Sequence, residues 1–199
     1  MALGKKGESQ RLRVIESASY CLTQFGERGA TFQAIATHCQ LSQASVVKYL
    51  KTRDNIFPMV LDHWMSRARK ITEESLLQIG SPEEKLRHYL RLQISLFFEK
   101  SDVNRVYLML HYFASIDERF KVMNSQIKTI AQNRIADTIT AGIADGSFRK
   151  VDAPLVAKTI HNNLVGYLLS SVTEISKPAD LQMPKVLEDT CLSLVLKTP

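Results

Sequence analysis

Apolar residues in this chain recur at steps of three and four, and no stretch alternates convincingly with period two. That spacing fits one face of an α-helix and not a half-buried strand, so it confines the chain to an all-α architecture. The pattern opens with Leu12, Ile15, Ala18, Leu22 and Phe25, which mark one helix face. With only 8 Gly and 6 Pro in 199 residues, a loop-rich or all-β alternative is disfavoured as well.

Local signals divide the helical pattern. Residues 1–8 are polar, charged and glycine-containing and read as an arm, with a helix from Ser9 ended by Gly26 and Gly29. Thr31 is placed to N-cap a second helix carrying Phe32, Ile35 and Ala36, without a reciprocal capping box because Ala34 stands at the third position. Leu41 and Ser42 mark a short turn, and Ser42 caps a third helix to about Leu50. Thr52 offers a further cap before a stretch from Arg53 towards Ile79, in which Pro58 either begins the helix or kinks it. Ser81 and Pro82 open a helix with Leu86, Tyr89, Leu90, Ile94 and Phe97. Helices from Asp102 and Asp117 follow, then a break over 144–154 with Asp152 as the next cap. Residues 176–184 read as a loop before a last helix over 184–197.

Charge is unevenly spread along this series. Residues 1–56 hold eight basic side chains against four acidic ones, a surplus of four out of a net +6 for the whole chain. Such a segment suits a polyanion, either nucleic acid or a membrane surface, though a solvated cationic face fits the count equally. Cys21, Cys39 and Cys191 lack metal or redox spacing and read as structural thiols in a reducing cytoplasm. No signal peptide or membrane span is expected. The five histidines are scattered, and no nucleophile elbow, phosphate loop or zinc-protease helix is present, so neither catalysis, a metal nor a cofactor is expected.

Two short helices joined by a tight turn and preceded by a longer one form the helix-turn-helix plan, whose second helix presents its amino-terminal residues to base edges. Here those residues are Ser42, Gln43, Ala44 and Ser45. Small Ala44 and Ser45 allow close approach, Gln43 suits a paired hydrogen bond to adenine, and Ser42 with the free N–H groups suits a phosphate. Lys48 reaches a base or the backbone, and Tyr49, Thr52 and Arg53 lie where the chain leaves the groove. With Thr31 at the neighbouring helix start, these residues are the candidate contacts to double-stranded DNA.

Arg11 to Ile56 resembles the amino-terminal domain of the tetracycline-repressor-like (TetR) transcriptional regulators. The resemblance rests on Ala18, Phe25–Gly26, Gly29–Ala30–Thr31, Ile35–Ala36, Leu41–Ser42, Ser45 and Tyr49, with Arg53–Asp54 where the family has Lys–Glu. Residues 142–169 are similar to the family's approach to its late helices. Gln40 replaces the usual turn glycine, Val47 an aromatic and Leu50 a phenylalanine. The resemblance implies a DNA-binding domain over 1–53 and a ligand-binding and dimerisation domain over 54–199. It also implies a homodimer formed through helices near 152–175 and 184–197, on a near-palindromic operator with recognition helices about 34–36 Å apart. A small-molecule effector would then alter that spacing, most often in a repressor.

Candidate effector-binding residues are Trp64, Phe97, Tyr107, His111, Tyr112, Asn162 and Asn163, with Phe98 and Tyr167 beside them. An apolar cavity with a few polar groups is how small-molecule sites are built, and a buried pair such as Asn162–Asn163 would need partners. The competing reading is an all-α enzyme or protein-interaction module whose basic amino terminus is incidental.

Overall fold

The computed structural model describes residues 4–99, 101–173 and 182–197. Among them every regular element is a helix, joined by one isolated antiparallel bridge between Phe148 and Leu196. In chain order the helices are α1 (Lys5–Gly29), α2 (Phe32–Cys39), α3 (Gln43–Leu50), α4 (Ile56–Leu76), α5 (Pro82–Glu99), α6 (Ser101–Ile116), α7 (Glu118–Ala144), α8 (Ala153–Thr173) and α9 (Gln182–Ser193), with a 3₁₀ turn at Arg53–Asn55. The described residues divide into two compact units. One comprises residues up to Arg67 together with Arg105–Tyr107, and the other holds the rest.

In the first unit, α1 begins at Lys5 rather than Ser9, so most of the expected arm is helical, while residues 1–3 lie outside the described residues. Its buried face is Val14, Ile15, Ala18, Cys21 and Leu22. Leu12 and Phe25, placed on that face by their spacing, are instead 41% and 58% exposed. The break falls at Gly26, whose φ of 69° and ψ of −179° a β-carbon would resist. One further turn runs to Gly29, where a side chain would collide with Phe25. Thr31 caps α2 by accepting from the Ala34 N–H at 3.1 Å, and Ser42 caps α3 by accepting from the Ser45 N–H at 3.2 Å. Thr52 makes no side-chain cap bond.

Pro58 neither starts nor kinks α4. It is the third residue of the helix, where an N–H would have no partner within the helix, so proline fits the first turn. The first unit extends past residue 53 because the first half of α4 buries Ile56, Phe57, Val60, Leu61 and Trp64, and Trp64 Nε1 donates to Ser19 Oγ on α1 at 3.1 Å.

The second unit packs α5 against α7, α8 and α9, with α7 lying along α8. Its core takes Leu86, Leu90, Phe97, Leu110, Ile135, Ile139, Ile160, Leu164 and Leu192 out of water. Asp117 and Asp152 cap α7 and α8 as their positions predict. The 144–154 break closes where Phe148 folds over Gly142, so tightly that a β-carbon there would lie 2.6 Å from the ring Cε2. Residues 182–184, read as loop, open α9, and Ser176 to Leu181 lie outside the described residues. Val195, read as part of the final helix, is buried just beyond its end.

An ion cluster fixes α9 to α5. Glu188, only 4% exposed, accepts from Arg87 Nη1 at 2.7 Å and from Arg91 Nε and Nη2 at 2.5 and 2.8 Å. Burial pushes its carboxyl up, but the Arg91 and Arg87 hydrogen bonds outweigh that and hold it below the ordinary glutamate value.

Candidate functional site

The turn between α2 and α3 is made by Gln40 in the left-handed conformation, φ 54° and ψ 44°. Its N–H donates to the Thr37 carbonyl and that of Leu41 to the Ala36 carbonyl, which closes α2 despite the β-carbon. α3 then buries Val46, Tyr49 and Leu50 and leaves Ser42, Gln43, Ala44, Val47 and Lys48 exposed, with Ser45 half-buried. Ser42 Oγ and Ser45 Oγ lie 2.9 Å apart, so the two hydroxyls that flank Gln43 and Ala44 form one polar rim. The helix start thus presents two short hydroxyl side chains, an amide and a methyl.

Two expected contacts are built differently. Tyr49 does not project into solvent: its ring is buried and its hydroxyl donates to Gln10 Oε1 on α1 at 3.2 Å, while Lys48 Nζ sits 5.8 Å from the ring centroid. Arg53 is exposed, but Nη2 donates to the carbonyls of Arg28 (2.9 Å) and Glu27 (3.3 Å), where α1 ends. Arg13 does the same for α2, donating to the Cys39 carbonyl at 2.6 Å. Both arginines supply positive charge at a helix carboxyl end, which sequence spacing alone did not reveal. Thr31 and Thr52 remain at helix starts, half-buried and exposed respectively.

A second strained residue follows α3. Lys51 has φ 66° and ψ −66°, and the Thr52 N–H donates to the Leu50 carbonyl at 2.8 Å, a three-residue turn of the rare positive-φ kind. Two non-glycine residues with positive φ therefore bracket α3. Strain of this kind gathers at functional elements.

The candidate effector residues scatter. Trp64 and Tyr107 are buried but belong to the first unit. Tyr112 is 62% exposed, because α6 turns Val106, Tyr107 and Leu110 inward and Tyr112 lies on the other side. Asn162 and Asn163 are also exposed: the buried stripe of α8 runs through Ala157, Ile160, His161, Leu164 and Leu168, and the two amides fall off it. Asn163 instead joins Tyr167, Ser170, Met183, Val186 and Leu187 around a surface groove of about 390 Å³ between α8 and α9. Phe97 and half-buried His111 stay in the second unit, where Phe97 meets Phe98 at 5.5 Å and Phe98 meets Tyr167 at 6.3 Å between ring centroids.

His161 lies on the buried stripe of α8. It is 4% exposed, and neither ring nitrogen has a hydrogen-bond partner among the described residues. Burial first, then the nearby positive charges of Lys128 and His111, pull its pKa down to about 4, so its imidazole is neutral at pH 7. Asn124 Oδ1, on the same helix as Lys128 and one turn before it, is likewise buried without a partner. The cysteines, in contrast, are buried and form no disulfide, and burial pushes the Cys191 thiol up to about 11. Among the described residues no three metal-ligating side chains converge, and no helix is long and apolar enough to cross a membrane.

No family model matches the chain, and no curated protein sequence does. Solved structures do match over almost the full length. A protein described as a transcriptional regulator from Saccharomonospora viridis, in complex with choline, superposes with a TM-score of 0.85 at 20% identity, covering 96% of this chain and 100% of that one. A TetR transcription regulator from Haloarcula marismortui gives 0.81 at 21% identity, covering 96% and 100%. The chain has the TetR-regulator fold. AibR in complex with isovaleryl coenzyme A and operator DNA shares it too, with a TM-score of 0.69 at 18% identity over 93% of this chain and 97% of AibR.

Proposed function

We propose that this protein is a ligand-responsive, DNA-binding transcriptional regulator of the TetR type, acting as a homodimeric repressor on a near-palindromic operator. The observation that carries the reading is the start of α3. Gln43 and Ala44 stand exposed between the cap hydroxyls of Ser42 and Ser45, on a helix whose opposite face is buried. That is the geometry a major groove requires of a reading helix. Exposed Val47 adds an apolar side chain suited to a thymine methyl, a contact type that the loss of an aromatic there does not remove.

We assign DNA reading to residues 1–53, and effector binding and dimerisation to 54–199. AibR holds operator DNA and isovaleryl coenzyme A in one complex, and the Saccharomonospora viridis protein holds choline, so the fold accommodates both activities. Dimerisation through α8 and α9 is supported by their groove and by exposed Leu155, Met183 and Val186, apolar side chains that a partner would cover.

The test is a binding profile over randomised DNA. Gln43→Ala is expected to relax the preference at one base position of each half-site, at a cost of about 1–3 kcal/mol for the preferred base. Arg53→Ala is expected to weaken binding to all sequences alike, with some loss of folding stability because it also ends α1. Identical profiles for wild type and Gln43→Ala would remove Gln43 as a reader.

A further inference from the structure

We propose that the second unit binds an effector bearing an oxyanion, a carboxylate or a phosphate ester, and holds that group with His161 on α8 and Lys128 on α7, on the side toward His111 of α6. The proposal deepens the regulator reading and rests on it. Its first support is the unmet hydrogen-bonding capacity of His161. An imidazole 4% exposed with no partner on either nitrogen among the described residues is uncommon in a folded core, where buried polar groups are almost always satisfied. Asn124 Oδ1, buried and unpartnered on the helix that carries Lys128, offers an acceptor for a hydroxyl or amide of the same molecule.

The sign of the site is the second support. Both charged groups acting on His161 are basic, Lys128 from α7 and His111 from α6. A cationic ligand would add to the positive charge of Lys128 beside this buried imidazole, whereas an oxyanion accepts from the imidazole N–H and offsets the repulsion from Lys128. Binding an anion favours the protonated imidazole, so proton uptake by His161 accompanies binding, and affinity rises as pH falls towards the free protein's value of about 4 while the probe stays ionised.

The experiment uses the full chain and a matched series of probes: straight-chain carboxylates, alkyl phosphates, alcohols and primary amines of equal length, from four to sixteen carbons. Calorimetry in two buffers of different ionisation enthalpy reads affinity and proton uptake, and ring-carbon NMR follows His161, assigned with His161→Gln. Expected is at least one carboxylate or alkyl phosphate that binds roughly tenfold or more tighter than its matched alcohol and far tighter than its amine. That probe should shift the His161 signal, take up a proton, and lose about tenfold in affinity in Lys128→Gln, a half-buried position where folding is easily verified. The carboxylate and phosphate arms separate the two anion classes. Equal binding of alcohols, tighter binding of amines, an unmoved His161 signal with every anion, or an unaffected Lys128→Gln variant would each overturn the proposal. A protein that selects an operator yet ignores all anions defeats this inference alone. One that binds anions through His161 yet selects no operator defeats the regulator reading alone.

Discussion

At the scale of single residues, α3 is held in place by backbone conformations that its sequence does not favour. Gln40 adopts the left-handed region without the freedom of glycine, and Lys51 does so at the other end of α3. Gln40→Gly is therefore expected to stabilise the first unit by about 0.5–1 kcal/mol, since the left-handed penalty exceeds the added entropy of glycine in the unfolded chain. Urea unfolding followed by far-ultraviolet circular dichroism measures it, and a destabilised variant would mean the Gln40 side chain does more than occupy the turn. His161 gives a second prediction. Its folded pKa of about 4 lies below the ordinary 6.5, so the unfolded chain binds the extra proton between those values and stability falls as pH drops through that window. His161→Leu should lose roughly 1–3 kcal/mol less than wild type between pH 7 and pH 4. Parallel losses would show that His161 is solvated. The caps Thr31, Ser42, Asp117 and Asp152 were legible in the sequence because capping is chemistry within three residues. The partner of Trp64 and the isolation of His161 were not, because both depend on which helices meet.

At the scale of helices, spacing located each element, but its phase was harder to read. Asn162 and Asn163 look interior when their neighbours are apolar, yet one step of 100° separates them from the buried stripe that His161 occupies. The same margin left Leu12, Phe25 and Tyr112 exposed. Nor does local sequence announce Arg13 and Arg53 as partners of helix carboxyl ends, because each acts on a carbonyl some 26 or 25 residues away. The attachment of α9 to α5 is equally remote, since Glu188 meets Arg87 across 101 residues. Glu188→Gln is expected to destabilise the second unit by about 1–2 kcal/mol at pH 7, a modest figure because Arg91 is largely solvated. The carboxyl's folded pKa lies below its ordinary 4.5, so its contribution is full above that value and is lost as pH falls through the folded pKa. Urea midpoints of wild type and variant should therefore converge at low pH, and a gap that stays constant from pH 7 to pH 3 would contradict the ion-pair account.

At the scale of the whole molecule, the all-α class followed from periodicity, and the helix-turn-helix followed from two caps and a break. The larger unit was legible only as a series of apolar helices, because which side chains meet across those helices depends on packing that local spacing does not carry. The proposed function stands or falls on whether the exposed start of α3 reads operator DNA. The most direct test is selection of binding sites from a random duplex pool by the purified wild-type protein, repeated over a range of salt. Expected is an enriched inverted repeat whose half-sites are spaced by a whole number of DNA turns, with affinity falling steeply and log-linearly as salt rises. A pool that stays unenriched at every salt concentration, with and without cell extract, would contradict it.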